Sequence, residues 1–155
     1  MRIKIAVCSL VFLSTLWIGL PFVFISVNDY LGLLIVNNVF LKVFGGIIIV
    51  LGLGGFLNSV FIFNKYGEGT PVPIKPPKRL VIKGLFKYTR NPLYICHLTI
   101  LLGEFFVFGR ILSLVYLGLM VITFHLYVIK LEEPELRIKF GKNYLKYLKI
   151  VPRWF

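Results

Sequence analysis

The sequence predicts an all-α integral membrane bundle of about four transmembrane helices, closed by a C-terminal amphipathic helix at the membrane interface. Three observations carry that expectation. The 155 residues are 58% hydrophobic and 15% charged, where an average soluble domain has about 25% charged residues. The apolar residues come in long uninterrupted runs, with a mean hydropathy of +0.88. The basic residues lie between and after those runs, so the net charge of +12 is explained by membrane orientation and attraction to anionic lipid heads rather than by nucleic acid.

Residues 3–27 are nearly free of charge and, at about 1.5 Å per residue, long enough for about 30 Å of hydrocarbon. They exceed the apolar core of a signal peptide, and no cleavage site of small residues follows. Residues 31–36, bracketed by Asn28-Asp29-Tyr30 and Asn37-Asn38, are too short to span and read as a loop near the membrane surface. Residues 39–63 form the second span, with Gly45, Gly52, Gly55 and Ser59 on one face as a seam for close helix contact. The stretch 64–90 holds seven basic residues and four prolines, which make 71–77 extended. Spans at 92–108 and 111–129 are separated only by Gly109-Arg110 and so form a tight antiparallel hairpin.

Sixteen of the eighteen Lys and Arg then fall on one side, which by the positive-inside rule makes the N-terminus, the long loop and the C-terminal tail cytoplasmic. The chain divides into an N-terminal pair of helices with their loop, 1–63, and a region carrying the candidate chemistry, 64–155. Beyond the last span, Leu136, Phe140, Tyr144, Tyr147 and Val151 recur every three or four residues with lysines between them, an amphipathic interfacial helix in which Gly141 is the weak point. Cys8 and Cys96 lack any zinc or redox spacing, so no metal is expected.

Three polar clusters could carry chemistry. Gly67-Glu68-Gly69 allows close backbone approach to a ligand, or simply turns the chain. Arg90, Asn91 and Tyr94 surround Pro92 at a helix start, where free N–H groups favour an anion such as a carboxylate; Asn91 also suits a plain N-cap. Glu132, Glu133 and Glu135 are half of the acids in the chain, and Glu132 sits at a helix C-terminus that disfavours negative charge unless a ligand offsets it. The plain structural alternative for this cluster is a pair of i,i+4 contacts, Glu133 to Arg137 and Glu135 to Lys139. His97 shares a helix face with Tyr94, His125 precedes Glu132 by seven, and Glu104 lies near the outer end where water or Arg110 could satisfy it.

In order, Gly67-Glu68-Gly69-Thr70-Pro71-Val72-Pro73, Pro76-Pro77, Arg79-Leu80-Val81, Gly84, Tyr88-Thr89-Arg90-Asn91-Pro92-Leu93-Tyr94, Glu132-Glu133-Pro134-Glu135-Leu136, Phe140-Gly141, Tyr144 and Val151-Pro152-Arg153-Trp154 resemble the integral-membrane isoprenylcysteine carboxyl methyltransferase and phospholipid methyltransferase superfamily. The resemblance implies a small helical bundle that binds S-adenosylmethionine on the cytoplasmic side. It implies that Gly67 and Gly69 approach the cofactor, that Arg90, Asn91 and Tyr94 line the site, and that Glu132 and Glu133 hold the cofactor's polar groups; His97, on the helix face of Tyr94, is a further candidate for the cofactor's pocket. The acceptor would be a lipid or lipidated group, either a prenylcysteine-like carboxylate or a phospholipid amine. Members acting on isoprenylcysteine have His between the Arg and the Pro; this chain has Asn91, which argues against prenylcysteine. The rival readings are a nicotinamide-dependent membrane reductase of related architecture and a non-catalytic lipid-binding protein.

Overall fold

Two prolines shape the helices. In the computed structural model, which describes residues 2–68 and 77–155 with side chains from residue 7 onward, α1 (Arg2–Ser14) runs into α2 (Leu20–Tyr30) through a π turn at Thr15–Gly19. Likewise α5 (Ile111–Tyr127) runs into α6 (Glu133–Ile150) through a π turn at Val128–Glu132. In each turn the residue just before a proline closes a five-residue bond: the Leu20 N–H donates to Thr15 O ahead of Pro21, and the Glu133 N–H donates to Val128 O ahead of Pro134. Proline has no N–H to give, and its ring crowds the carbonyl four residues back; the wider turn relieves that clash without breaking the helix.

Between them lie α3 (Val39–Gly67) and α4 (Pro92–Phe108), with a 3-10 turn at Gly84–Lys87. No strand occurs among the described residues, only an isolated bridge from Ile35 to Arg110. Three stretches are long and apolar enough to cross a bilayer, Val7–Tyr30, Val39–Gly67 and Ile111–Ile150, and Pro92–Phe108 is a shorter apolar helix. The protein is an all-α membrane protein, as its sequence predicts. Ile111–Ile150 has 40 residues, about 60 Å of helix, so the hydrocarbon takes only its apolar first part, 111–129. Glu132 and everything after it lie beyond. Many large side chains of α1 to α3, among them Leu10, Phe22, Phe40 and Val50, are exposed, as suits helices in a bilayer.

The chain forms two compact units, Met1–Leu51 with Leu98–Met120 and Gly52–His97 with Val121–Phe155. In the first, the loop 31–36 is no loose connection. The Val36 N–H donates to Gly109 O at 2.8 Å and the Ile111 N–H to Leu34 O at 3.3 Å, stitching the loop to the α4–α5 turn. Gly109 adopts φ +68, and any Cβ there would collide with the Val36 carbonyl. Asn28, wholly buried, accepts from the Leu112 N–H at 3.2 Å and so satisfies a free donor at the start of α5. Arg110 forks onto Asp29 at 3.0 and 3.1 Å rather than meeting Glu104.

The small-residue seam is real: Gly45, Gly52 and Ser59 are buried. A Cβ built on Gly45 would stand 2.6 Å from Gly103 O and 2.9 Å from Val107 N, both backbone atoms that cannot yield cheaply, whereas one on Gly46 meets nothing within 4 Å. Gly45→Ala should therefore lose about 1–3 kcal/mol through overpacking. Gly46→Ala, on the same helix, should gain about 0.5–1 kcal/mol from helix propensity. Thermal unfolding of both variants in one detergent checks the opposite signs; a loss at Gly46 equal to that at Gly45 would refute the close approach.

Candidate active site

In the second unit, α3 ends in a turn that Gly67 closes. Its carbonyl accepts from the N–H groups of Lys78 at 2.7 Å and Arg79 at 3.2 Å. The face of Gly67 where a Cβ would stand is covered by Val81, 2.9 Å away, and Pro77, 3.4 Å away. Glu68, at φ 53, pairs with Arg79 at 3.2 Å and Lys78 at 3.7 Å. Gly69 and the extended segment expected after it lie, up to residue 76, outside the described residues.

From there the chain passes the 3-10 turn, whose Phe86 is buried and accepts at its carbonyl from the Tyr147 hydroxyl at 2.7 Å. It then enters α4 through Thr89-Arg90-Asn91. The backbone of Asn91 stands at the N-cap position, its carbonyl accepting from the Ile95 N–H. Its side chain is used elsewhere: Asn91 Nδ2 donates to Arg153 O at 2.9 Å, and Thr89 Oγ1 donates to the same oxygen at 3.1 Å. With the Arg90 N–H donating to Pro152 O at 3.0 Å, these bonds strap residues 152–153 across the start of α4.

That strap delivers the second arginine. Glu133 accepts from Arg90 Nη1 at 2.9 Å and from Arg153 Nε at 2.7 Å on one oxygen, and from Arg153 Nη2 at 3.1 Å on the other. Arg137, one turn along α6, stands at 3.9 Å. The i,i+4 contact expected from spacing is thus present but is the longest of the three. Adjacent helical residues point about 100° apart, so Glu132 turns to a different neighbour, accepting from the Tyr94 hydroxyl at 2.8 Å. Tyr94 is in turn crowded by Phe124, Trp154 and Tyr127, with ring centroids at 4.7, 6.5 and 6.5 Å. His97 is buried with its ring edge-on to Phe124 at 5.0 Å. His125 is exposed and accepts from Trp154 Nε1 at 3.1 Å, fixing the C-terminal indole.

Arg90, Asn91, Glu132, Glu133, Tyr144 and Tyr147 border a cavity of about 50 Å³ whose opposite wall includes Phe63, Leu80, Val81 and Val128. Arg90 Nε is buried without a hydrogen-bond partner. A guanidinium donor left unsatisfied beside a cavity calls for an acceptor, and a carboxylate is the natural one. Arg90 is therefore the residue that could hold the carboxylate of a cofactor's amino-acid end, while both Glu133 oxygens are taken up by Arg90 and Arg153 and Glu132 is held by Tyr94. Ligand pockets usually exceed about 300 Å³, so a whole nucleoside requires the wall to move outward.

The two acids titrate in opposite directions. Burial pushes the Glu133 carboxyl up, but the hydrogen bond from Arg153 and the charges of Arg90, Arg153 and Arg137 outweigh it and hold the group below the ordinary 4.5. Burial raises Glu132; the Tyr94 hydrogen bond opposes the rise, and the charges of Glu133 and Glu135 add to it. For Glu133 the linkage sign is that of a depressed acid. Its stabilisation is complete above the unfolded value of 4.5 and is lost as pH falls through the lower folded value. Wild type should accordingly lose thermal stability below pH 4.5 more steeply than Glu133→Gln, and parallel slopes would show that the carboxylate is not held by its arginines.

Of the eight residues the sequence singled out for the site, the fold brings Arg90, Asn91, Tyr94, Glu132 and Glu133 together; Gly67 and His97 do not border the cavity, and Gly69 lies outside the described residues. The sequence passed over Arg153 as a site residue, although the Val-Pro-Arg-Trp run that holds it was noted; no spacing rule reveals a partner twenty residues from Glu133. Tyr144, expected on the apolar face of the interfacial helix, is both core and cavity wall. Among known proteins, the family model described as "Phospholipid methyltransferase" matches residues 40–143, more than half of the chain. No curated protein and no solved structure gives a significant match.

Proposed function

The chain belongs to the phospholipid methyltransferase family, and from that premise we propose that it transfers a methyl group from S-adenosylmethionine to the amine of a membrane lipid. Family membership gives the coarse activity, a membrane methyltransferase acting on lipid. What supports the finer reading is one arrangement: the buried Arg90–Glu133–Arg153 cluster beside a Glu132–Tyr94 pair enclosed by aromatic rings.

The cofactor, when bound, supplies an electrophilic methyl group on a sulfonium. Arg90, anchored through Nη1 by Glu133, offers its free Nε to a carboxylate. Arg153 shares the load on Glu133, so the anchor stays ionised when a ligand engages Arg90. Glu132 takes a proton from the acceptor's ammonium form, leaving an amine with a free lone pair, and Tyr94 orients the receiving carboxylate through its hydroxyl. The rings of Tyr94, Phe124, Tyr127 and Trp154 form an apolar, electron-rich surround that attracts cations. A carboxylate acceptor would instead meet Glu132, whose hydrogen-bond partner is the neutral Tyr94 hydroxyl rather than a cation, and this favours the amine. The excess of Lys and Arg in the loop and tail supports a cytoplasmic position for this face.

The test is direct. Purified protein in detergent should show saturable binding of S-adenosylmethionine, with slower hydrogen exchange in residues 77–90 and 133–153, and should move labelled methyl onto a phospholipid bearing a primary amine. Arg90→Lys should lose affinity for the cofactor. Label appearing on a carboxylate-bearing lipid instead would overturn the acceptor assignment; folded protein that binds no cofactor would overturn the whole reading.

A further inference from the structure

A second basic surface lies in the same unit, and the chemistry above does not use it. Lys78 and Arg79 are presented by the Gly67 turn, held there by backbone hydrogen bonds to Gly67 O and by Glu68. Facing them along α6 are Asn143 and Lys146, and between the two walls runs a groove of about 540 Å³. Its floor is apolar: Ile82, Phe140 and Ile150 line it, and Ile82 and Ile150 are exposed. Three cations against the single acid Glu68 leave the rim positive.

A cationic rim over an apolar floor matches an amphiphile with a negative head. A soluble anion would use the rim and leave the floor exposed to water, and a neutral lipid would leave the rim unpaired. α6 is itself amphipathic, and helices of this kind lie at the headgroup level with basic residues toward anionic lipid. We propose that this groove binds one anionic phospholipid, its phosphate between Lys78, Arg79 and Lys146 and its glycerol and upper acyl carbons on Ile82, Phe140 and Ile150. The site is separate from the Arg90–Glu133 cluster and does not depend on the reaction assigned to it. Bound there, the lipid would join the α3–α4 connection to the last helix, the two segments whose side chains also border the active-site cavity.

The experiment is a lipid competition on the intact, delipidated protein. Equimolar phosphatidylglycerol and phosphatidylcholine are added in micelles, and the retained lipid is identified by native mass spectrometry. Phosphatidylglycerol should be retained roughly tenfold over phosphatidylcholine. The combination Lys78→Gln, Arg79→Gln and Lys146→Gln should bring the ratio close to one. The combination Lys42→Gln, Lys87→Gln and Lys130→Gln removes the same charge elsewhere and should leave the ratio unchanged. Should the first combination fail to fold, Lys146→Gln alone, on an exposed face of α6, should lower the ratio by itself. Equal retention by the wild type, or an equal loss in the control combination, would overturn the proposal in favour of diffuse attraction. Displacement of the lipid by inorganic phosphate at equal concentration would overturn it in favour of a soluble-anion pocket.

Discussion

Glu133→Ala is expected to cost about 3–5 kcal/mol of stability, because it removes the one acceptor shared by two guanidinium groups and leaves their charges uncompensated. Arg90 has only 11% of its side chain exposed, so its penalty is that of a buried charge; Arg153, at 31%, can partly return to water. That partial relief places the expectation in the lower half of the range. Glu133→Gln keeps the shape and an acceptor oxygen and should cost less, while weakening the grip on Arg90. Thermal or denaturant unfolding in one detergent measures both. If alanine costs under about 1 kcal/mol, the cluster is effectively solvated and the account of Arg90 as a preorganised anion receptor fails.

The largest expected effect on activity is at Glu132. Glu132→Gln preserves the length of the side chain and its bond from Tyr94, yet abolishes its ability to take a proton, and general base catalysis contributes about 10²–10⁴-fold. The methylation rate should fall by that amount while cofactor affinity changes little. Because the folded carboxyl is raised, its basic form is gained as pH rises through that raised value. The wild-type rate should therefore climb with pH over a limb that Glu132→Gln lacks. Tyr94→Phe should retain the limb and shift it, since the hydrogen bond that lowers the Glu132 carboxyl is gone. An unchanged rate in Glu132→Gln would show that the amine arrives already neutral or that another group receives the proton.

Much of this was legible in the sequence because a membrane enforces simple rules. Hydropathy and the Gly109-Arg110 break place α4 and α5 to the residue at their start, since backbone in hydrocarbon must be helical. The stripe Leu136, Phe140, Tyr144, Tyr147 and Val151 forms the predicted apolar face of α6, clustered with Leu80. Gly141, the expected weak point, is where the helix kinks, at φ 49 and ψ −126.

What escaped the sequence is tertiary or stereochemical. Asn91 has the right type and place for an N-cap, but a carbonyl of the C-terminal segment outcompetes the helix end for its side chain. His125 looked like an intramembrane ionisable group with a task and proves to hold Trp154. The two π turns were readable only in hindsight, from a proline inside each otherwise unbroken helical run.

Those prolines bear on how such a chain can vary. A π turn accommodates one residue more than an ordinary turn, which rotates everything downstream by roughly 100°, and it is this rotation that aims the paired glutamates at separate neighbours. Losing a residue from 128–132 alone would misdirect both acids, and losing Pro134 alone would let the ladder close and strand the surplus residue. The imino acid and the extra position are thus coupled, each accommodated by the other.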